Sequence, residues 1–237
     1  MKIALLGYGK MGHEIEKMAI SRGHTINLIL DNENDWTEKG SLLISCDVAI
    51  EFTMPAIAVS NMLRCFNAGV PVVVGTTGWH NRFDEVSEQC KKLNGTLFYA
   101  SNFSIGVNVF FEVNRQLASL LEKYPIYQPS VTEIHHTQKL DAPSGTAITL
   151  AEGIISANPN FHGYSEQNQE AGKIPITSIR EGAVTGTHTI TWTSEVDKIT
   201  ITHEAFNRQG LAEGAVLAAE WLRERKGVFT MRDMLSL

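Results

Sequence analysis

The sequence of 237 residues has little cysteine and no long apolar run. The three cysteines, Cys46, Cys65 and Cys90, show no CxxC spacing. This odd, scattered set argues against a disulfide framework or a zinc-binding cysteine motif, and it predicts a reducing, cytoplasmic environment. No stretch approaches the roughly 18 uninterrupted apolar residues of a membrane span, so we expect no membrane partner.

An excess of positive charge is also missing. The chain carries 20 lysines and arginines against 26 aspartates and glutamates, a formal charge of −6. Proteins that bind nucleic acid usually carry an excess of basic residues, so nucleic acid is not an expected partner. Hydrophobic residues make up 43% of the chain and charged residues 19%, as in ordinary globular proteins. The length fits one large domain or two small ones.

Short apolar runs alternate with helical spacing through the first hundred residues. The runs predict buried strands at residues 2–6, 25–30, 47–52, 71–74 and 96–100. Helical spacing between them covers residues 10–22, 55–66 and 82–93. Strands that are apolar along their whole length, in β-α-β order, favour a parallel sheet covered on both faces.

The pattern changes after residue 102. Helices are predicted at 105–123, 144–156 and 211–224, and strands of period two at 130–135, 174–180, 188–194 and 198–203. The polar stretch 157–172 predicts a surface loop. Threonines along the last two strands suit a half-solvated sheet face. We therefore predict an α/β fold with a parallel-sheet domain at 1–103 and 206–237, and an inserted α+β domain with an open mixed sheet at 104–205.

A GxGxxG loop connects the first predicted strand to the first predicted helix. Its residues are Gly7, Tyr8, Gly9, Lys10, Met11 and Gly12. The first glycine permits a tight turn, the second lets the backbone approach a pyrophosphate, and the third allows close helix packing. Asp31 ends the second strand, where an acid would accept hydrogen bonds from an adenosine ribose. The combination predicts a Rossmann-like dinucleotide site, with a turn of chance glycines as the alternative.

Further small and polar residues follow the other predicted strands. Ligands of open α/β sheets bind beyond the carboxyl ends of the strands. The residues at these ends are Phe52 and Thr53, then Gly75, Thr76, Thr77 and Gly78, and finally Ala100, Ser101, Asn102 and Phe103. We expect them around the same crevice, with the nicotinamide half against the second glycine turn. Taken alone, that turn is equally typical of an ordinary strand end.

Residues 133–146 contain the highest concentration of side chains that could take part in catalysis or ligand binding. His135, His136 and Lys139 stand at a strand end, and Ser144 is a candidate N-cap of the next helix. The N–H groups of Gly145 and Thr146 would then form an anion site, and the neighbouring lysine and histidine could donate a proton during a reduction.

Other interpretations of this cluster stay open. A hydrogen-bonded core histidine and a solvated basic edge are two of them. A metal site is disfavoured because adjacent strand residues point to opposite faces, so no metal is expected. The remaining histidines are expected to be surface or structural residues.

These stretches together resemble the 4-hydroxy-tetrahydrodipicolinate reductases (dihydrodipicolinate reductases) of bacterial lysine and diaminopimelate synthesis. The resemblance covers nearly the whole chain. Its most specific part is the His-His, Lys, Asp-Ala-Pro-Ser-Gly-Thr string. The matching stretches are the glycine loop, Ile50 to Thr53, Gly75 to Gly78, Ser101 to Asn108, Glu133 to Thr146, Ile201 to Ala205 and Met231 to Asp233.

The resemblance implies hydride transfer from NADH or NADPH, or both, to a small cyclic dicarboxylate. It implies that His135 and Lys139 are the acid–base residues, with Lys139 favoured as the proton donor. His136 and the Gly145–Thr146 backbone would hold the substrate carboxylates in the inserted domain. The resemblance also implies a homotetramer assembled through the sheets of that domain. The implied dinucleotide-binding residues are Gly7 to Gly12, Asp31, Phe52, Thr53, Gly75 to Thr77 and Ala100 to Phe103.

The sequence also departs from the family pattern. Lys10 replaces an arginine in a shortened glycine loop, and Asn32 rather than arginine follows Asp31, which bears on cofactor preference. Arg180 to Ala183 replaces an Arg-Gly-Gly-Asp-like turn. Two other functions are considered. An aspartate-dehydrogenase-like oxidoreductase would explain the glycine loop but not Asp141 to Thr146. A non-catalytic nucleotide sensor would not need both His135 and Lys139.

Overall fold

The computed structural model describes residues 1–166 and 170–237. The chain forms two compact units, Met1–Ile105 with Gln209–Leu237, and Gly106–Arg208. The first unit therefore ends at residue 105 and resumes at residue 209. The sequence predicted these boundaries at residues 103 and 206. Among the described residues, no helix has the length and apolarity needed to cross a membrane.

The first unit is built on a six-stranded parallel sheet. Its strands are Lys2–Leu6 (β1), Thr25–Leu30 (β2), Val48–Glu51 (β3), Val72–Val74 (β4), Thr96–Tyr99 (β5) and Gly227–Phe229 (β11). They lie in the order β11-β5-β4-β3-β1-β2. The helices of this unit are Lys10–Ser21 (α1), Glu33–Lys39 (α2), Pro55–Asn67 (α3), Phe83–Lys92 (α4), Gln209–Trp221 (α7) and Met231–Leu235 (α8).

Helices cover both faces of this sheet, which explains why its strands are apolar along their whole length. Ala4 and Leu6 of β1 belong to one buried core, while Ile3 and Leu5 belong to a second core on the opposite face. Successive strand residues point to opposite faces, so both sets must be apolar. The predicted Rossmann-like architecture is confirmed.

Two features of this unit were not predicted. Strand β11 has three residues, too few to show a period, and it is placed by parallel pairing with β5. The segment between Asp31 and Asp47 contains helix α2 and a 3₁₀ helix at Gly40–Ser45. Helix α2 begins at the N-cap Asn32, whose side chain accepts hydrogen bonds from the N–H groups of Asn34 and Asp35.

The second unit contains a five-stranded mixed sheet, with strands Gln128–His135 (β6), Gly163–Glu166 (β7), Lys173–Arg180 (β8), Gly186–Thr193 (β9) and Lys198–Ala205 (β10). They lie in the order β10-β9-β6-β8-β7. Strand β6 pairs antiparallel with β9 and parallel with β8. The helices Ile105–Leu121 (α5) and Gly145–Ala157 (α6) contribute to the apolar core of this unit, which includes Val131, Ile176 and Trp192 of the sheet.

The loop predicted at 157–172 is a wrong prediction in part, because β7 lies inside it. The Gly-Tyr-Ser-Glu sequence of β7 has no apolar alternation, and its parallel pairing with β8 supplies its strand geometry. Residues 167–169 of the predicted loop lie outside the described residues. The threonine hydroxyls of β9 and β10 meet across the strand pair, with 3.1 Å between Thr189 and Thr202.

Candidate functional site

The backbone of the first unit requires two of the three glycines in the GxGxxG loop. Gly7 has a φ of +90°, and a Cβ there would lie 2.3 Å from the carbonyl oxygen of Phe52. A Cβ at Gly12 would lie 2.6 Å from the carbonyl oxygen of Gly7. A Cβ at Gly9, by contrast, would meet no atom within 4 Å. The space above Gly9 is therefore open to a ligand.

The open glycine is also the N-cap of α1. Gly9 has no side chain that could accept hydrogen bonds from the first N–H groups of the helix. These N–H groups and the helix dipole could hold a phosphate group, such as the pyrophosphate of a dinucleotide. Asp31 lies against this loop, where its Oδ1 accepts a 2.6 Å hydrogen bond from the N–H of Tyr8. Its role in binding a ribose stays a prediction.

The predicted residues after β3, β4 and β5 are brought together. A Cβ at Gly75 would lie 2.1 Å from Cζ of Phe52, so the glycine turn packs directly against this ring. The N–H of Thr53 donates to Oγ1 of Thr76 at 2.7 Å. The rings of Phe52 and Phe103 lie 5.8 Å apart. These three strand ends form one surface at the carboxyl edge of the parallel sheet.

The remaining predicted residues on this edge are placed by the ends of β4 and β5. The N–H of Ala100 donates to the carbonyl oxygen of Val74 at 3.2 Å. Oδ1 of Asn102 accepts a hydrogen bond from the N–H of Ser104 at 2.9 Å. Thr77 and Ser101 are exposed, as are Lys10 and Asp31 at the glycine loop.

A buried carboxylate organises the polar cluster of the second unit. Glu133 of β6 is fully buried. It accepts hydrogen bonds from the hydroxyl of Ser178 at 2.6 Å and from the N–H of Ser144 at 3.1 Å. Burial by itself would raise the pKa of Glu133, but the nearby His188 and the hydrogen bonds from Ser144 and Ser178 hold that pKa well below its usual range. The carboxylate is therefore ionised at neutral pH.

His135 lies beside this carboxylate in a buried position. Its Nδ1 lies 3.4 Å from Oε2 of Glu133, and its ring packs edge-on against His188 at 4.9 Å. Burial lowers the pKa of His135 to about 4, and the neighbouring His188 adds to the shift. The imidazole is therefore neutral at pH 7, with a lone pair that can accept a proton.

The Lys139 ammonium group is paired with Asp141, two residues further along the chain. Its Nζ donates to both carboxylate oxygens of Asp141, at 2.8 Å and 2.9 Å. This contact keeps the pKa of the Asp141 carboxyl below its usual range. The Lys139 side chain is 22% exposed, whereas that of Asp141 is 58% exposed. An acidic ligand could therefore compete with Asp141 for the ammonium group.

Ser144 is confirmed as the N-cap of α6. Its Oγ accepts a 3.2 Å hydrogen bond from the N–H of Ala147, and the helix begins at Gly145. A Cβ at Gly145 would meet no atom within 4 Å, so the start of α6 is open in the same way as the start of α1. The N–H groups of Gly145 and Thr146 lie in this first turn, and His136 is half-buried.

Three residues of this cluster were not identified from the sequence. His188 was expected to be a surface or structural residue, yet its Nε2 lies 3.7 Å from Oε2 of Glu133 and 3.3 Å from Oγ of Ser144. Ser178 and Arg180 also contact Glu133. Strand register brings them together, because Glu133 pairs with His188 of β9 and with Ser178 of β8. Only the order of the strands, which the sequence did not provide, could have revealed this.

Glu133, His135 and His188 could in principle offer ligands to a metal, since their donor atoms lie within 4.8 Å of one another. The carboxylate, however, already accepts hydrogen bonds from Ser144 and Ser178. The Arg180 guanidinium lies 3.4 Å from its Oε1 and would repel a second cation. The contacts fit a buried hydrogen-bond network, and the absence of a functional metal stays a prediction.

The fold and the glycine loop define a two-unit protein of the dinucleotide-binding Rossmann class. Family models described as "Dihydrodipicolinate reductase, N-terminus" and "Dihydrodipicolinate reductase, C-terminus" match residues 1–103 and 106–235. The chain belongs to the dihydrodipicolinate reductase family.

Individual relatives agree with this family. The chain is 48% identical over 236 residues to the 4-hydroxy-tetrahydrodipicolinate reductase of Christiangramia forsetii, covering 100% of this chain and 98% of that protein. It is 33% identical to the enzyme of the same name from Lawsonia intracellularis, over 96% of each chain. A dipicolinate-bound dihydrodipicolinate reductase from Paenisporosarcina sp. TG-14 shares the fold, with a TM-score of 0.76, 24% identity and 99% of each chain covered.

Proposed function

We propose that this protein reduces 4-hydroxy-tetrahydrodipicolinate to tetrahydrodipicolinate in lysine and diaminopimelate biosynthesis. The observation that carries the proposal is the family match over both units. It favours this activity over an aspartate-dehydrogenase-like enzyme or a nucleotide sensor. The reaction consumes one hydride and one proton, and the hydroxyl group of the substrate leaves as water.

The dinucleotide binds to the first unit in this proposal. A bound NADH or NADPH supplies the hydride. The N–H groups at the start of α1 hold the pyrophosphate above Gly9, and Asp31 accepts a hydrogen bond from the adenosine ribose. The surface at Phe52 and Gly75, packed against the buried ring of Phe103, supports the nicotinamide half. Thr53, Thr76, Thr77 and Ala100 to Asn102 complete this site.

The substrate binds to the second unit. The N–H groups of Gly145 and Thr146, together with His136, hold its carboxylates at the start of α6. Lys139 exchanges Asp141 for the acidic substrate and donates the proton that completes the reduction. His135 is neutral at physiological pH, so it can accept or pass on a proton beside Lys139.

We propose that NADH is used at least as well as NADPH. A ribose 2′-phosphate favours an arginine, because its fork can bond two phosphate oxygens. The exposed Asp31 would instead repel a 2′-phosphate, and Asn32 is committed to capping α2. Lys10 is a cation in the glycine loop that could partly offset this repulsion, but only as a point charge.

The proposed assembly is a homotetramer formed through the sheets of the second unit, as the family resemblance implies. The half-exposed Thr189 and Thr191 of β9 and the exposed Thr200 and Thr202 of β10, on the edge side of this sheet, suit such a contact. Light scattering after size exclusion would give four times the chain mass. The cytoplasm stays the predicted location, since Cys46, Cys65 and Cys90 are free thiols.

The decisive experiment is a coupled assay. The hydroxy-tetrahydrodipicolinate substrate is generated enzymatically in the cuvette, and oxidation of NADH and of NADPH is followed separately by the loss of their absorbance. The proposal expects substrate-dependent oxidation with at least one nucleotide. Oxidation of neither nucleotide, by a protein that still binds them, would contradict the proposed function and favour a sensor.

A further inference from the structure

We propose that Arg180 is a positioning residue that sets the location of Lys139 by clamping the backbone on both sides of Leu140. Its Nε donates to the carbonyl oxygen of Lys139 at 3.3 Å, and its Nη2 donates to the carbonyl oxygen of Asp141 at 2.6 Å. The inference rests on the proposed function, in which Lys139 is the proton donor.

The guanidinium is itself fixed from the sheet side. Its Nη2 lies 3.4 Å from Oε1 of the buried Glu133, and its Nη1 donates to the carbonyl oxygen of Ile179 at 3.0 Å. The Arg180 side chain is only 21% exposed. One planar group therefore ties the ionised carboxylate of β6 to the backbone at Lys139 and Asp141. Only an arginine can make this set of contacts, because its donors form a rigid fork.

Strand pairing places Arg180 where it can act on both proposed acid–base residues. Arg180 is the register partner of His135 between β8 and β6, and the next residue, Glu181, donates its N–H to the carbonyl oxygen of His135 at 2.8 Å. His135 is thus fixed by the sheet, whereas Lys139 lies in the following turn. The clamp by Arg180 gives that turn a fixed position relative to the sheet.

The need for such a clamp follows from the surroundings of Lys139. The Leu140 side chain is 97% exposed, so it adds almost no packing that could hold the turn. Two backbone hydrogen bonds hold this turn: the N–H of Thr137 donates to the Gly182 carbonyl oxygen, and the N–H of Lys139 donates to the His136 carbonyl oxygen. Without the guanidinium, the carbonyl oxygens of Lys139 and Asp141 lose their donors.

The kinetic test compares Arg180→Gln with Arg115→Gln. Arg115 forms an ion pair with Glu112 on α5, so the control removes the same group from the same unit without touching the turn. A displacement of about 1 Å can lower kcat about 100-fold. We expect a loss of that order for Arg180→Gln, with the KM for the nucleotide unchanged, and near wild-type kcat for Arg115→Gln. Equal kcat values for the two variants would overturn the proposal.

Two further readouts separate positioning from folding. Millimolar guanidinium chloride should restore part of the kcat of Arg180→Gln, while potassium chloride at equal ionic strength should not. Arg180→Lys should stay well below wild type, because a lysine is a point charge that cannot span both carbonyl oxygens. Full activity of Arg180→Lys would show that charge alone suffices, and it would overturn the clamp.

Hydrogen exchange distinguishes failure of this proposal from failure of the proposed function. Peptides covering residues 136–143 should exchange faster in Arg180→Gln than in the wild type and in Arg115→Gln, with or without measurable reductase activity. Unchanged exchange would overturn the clamp even in an active enzyme. A wild-type protein without reductase activity would overturn the proposed function, while faster exchange in Arg180→Gln would still support the clamp.

Discussion

Lys139 and Asp141 form a two-point ion pair across Leu140, with Nζ 2.8 Å and 2.9 Å from the two carboxylate oxygens. The pair joins the proposed proton donor to a carboxylate that is itself largely exposed. A substrate carboxylate has the same chemistry as the Asp141 side chain. In the proposed function, binding of a dicarboxylate would therefore replace one carboxylate partner of Lys139 by another, and the ammonium group would keep a negatively charged partner.

Replacement of Lys139 by alanine should abolish most of the turnover. Loss of an acid–base residue lowers kcat by about 10²–10⁴-fold. The KM for the nucleotide should change little, since the predicted dinucleotide-binding residues all lie in the first unit. Steady-state assays of Lys139→Ala and of the exposed control Lys123→Ala check this. A near-normal kcat for Lys139→Ala would mean that another group donates the proton.

Glu133→Gln should destabilise the second unit strongly. The substitution removes the negative partner of Arg180 and one of the acceptors used by Ser144 and Ser178. Removal of one partner from a buried charged network destabilises by about 2–4 kcal/mol. Urea unfolding measures the change. Glu85→Gln removes the exposed partner of Arg82 and should leave the unfolding midpoint unaltered, and similar midpoints for the two variants would contradict the role of Glu133.

The neutral, buried His135 should make stability depend on pH. Its pKa is about 4 in the folded protein and about 6.5 when unfolded, so between these values the unfolded state binds more protons. Stability therefore rises with pH through this window and is complete above it. Acidification from pH 7 to pH 5 should remove about 2 kcal/mol through this residue.

Urea unfolding of the wild type and His135→Gln at both pH values checks this dependence. In His135→Gln, the free energy of unfolding should change less between the two pH values than in the wild type. A substitution of the exposed His162 should leave the wild-type change intact. Equal slopes for wild type and His135→Gln would show that His135 ionises in the folded state much as it does in the unfolded chain.

Gly9→Ala should weaken nucleotide binding without lowering the stability of the fold. A Cβ at this position meets no atom of the protein within 4 Å, so the Tm should stay near that of the wild type. The same methyl group would occupy the space proposed for the pyrophosphate. We expect the nucleotide Kd to rise about tenfold or more, which is ~1.4 kcal/mol. Fluorescence titration measures it.

Gly7→Ala provides the contrast, because its Cβ would collide with the Phe52 carbonyl oxygen and the φ of +90° disfavours any side chain. That variant should lose stability as well as binding. If Gly9→Ala binds the nucleotide with wild-type affinity, the pyrophosphate does not lie above Gly9.

Asn32→Arg should move cofactor preference towards NADPH. The substitution offers a guanidinium next to Asp31, but it also removes the side chain that caps α2, at a loss of about 1 kcal/mol. Asn32→Ala loses the same cap without adding charge. The difference in NADPH-over-NADH preference between the two variants therefore isolates the effect of the added charge. The kcat/KM of each variant with each nucleotide checks this. A wild-type kcat/KM tenfold or more higher for NADPH would show that another cation reaches the phosphate.

Local sequence determined the first unit and the cofactor loop. Strands β1 and β4 are almost entirely apolar, and the glycines at 7 and 12 are required by close backbone contacts. The N-cap Ser144 could also be predicted from the sequence, because capping involves only a residue and the helix that follows it. Strand patterning and capping depend on interactions within a few residues, so the sequence pattern carries them. The steric requirement at Gly7 also involves the distant Phe52 carbonyl oxygen, and there the GxGxxG motif supplied the signal.

Only the tertiary structure decided the composition of the polar cluster. Arg180 and His188 each lie more than forty residues after Glu133 in the chain, and the β8-β6-β9 strand order places both beside its carboxylate. Strands β7 and β11 were likewise missed because each depends on pairing with a neighbour rather than on its own periodicity. Register between distant strands has no local signal, because it is fixed by backbone hydrogen bonds and packing that form only when the whole sheet assembles.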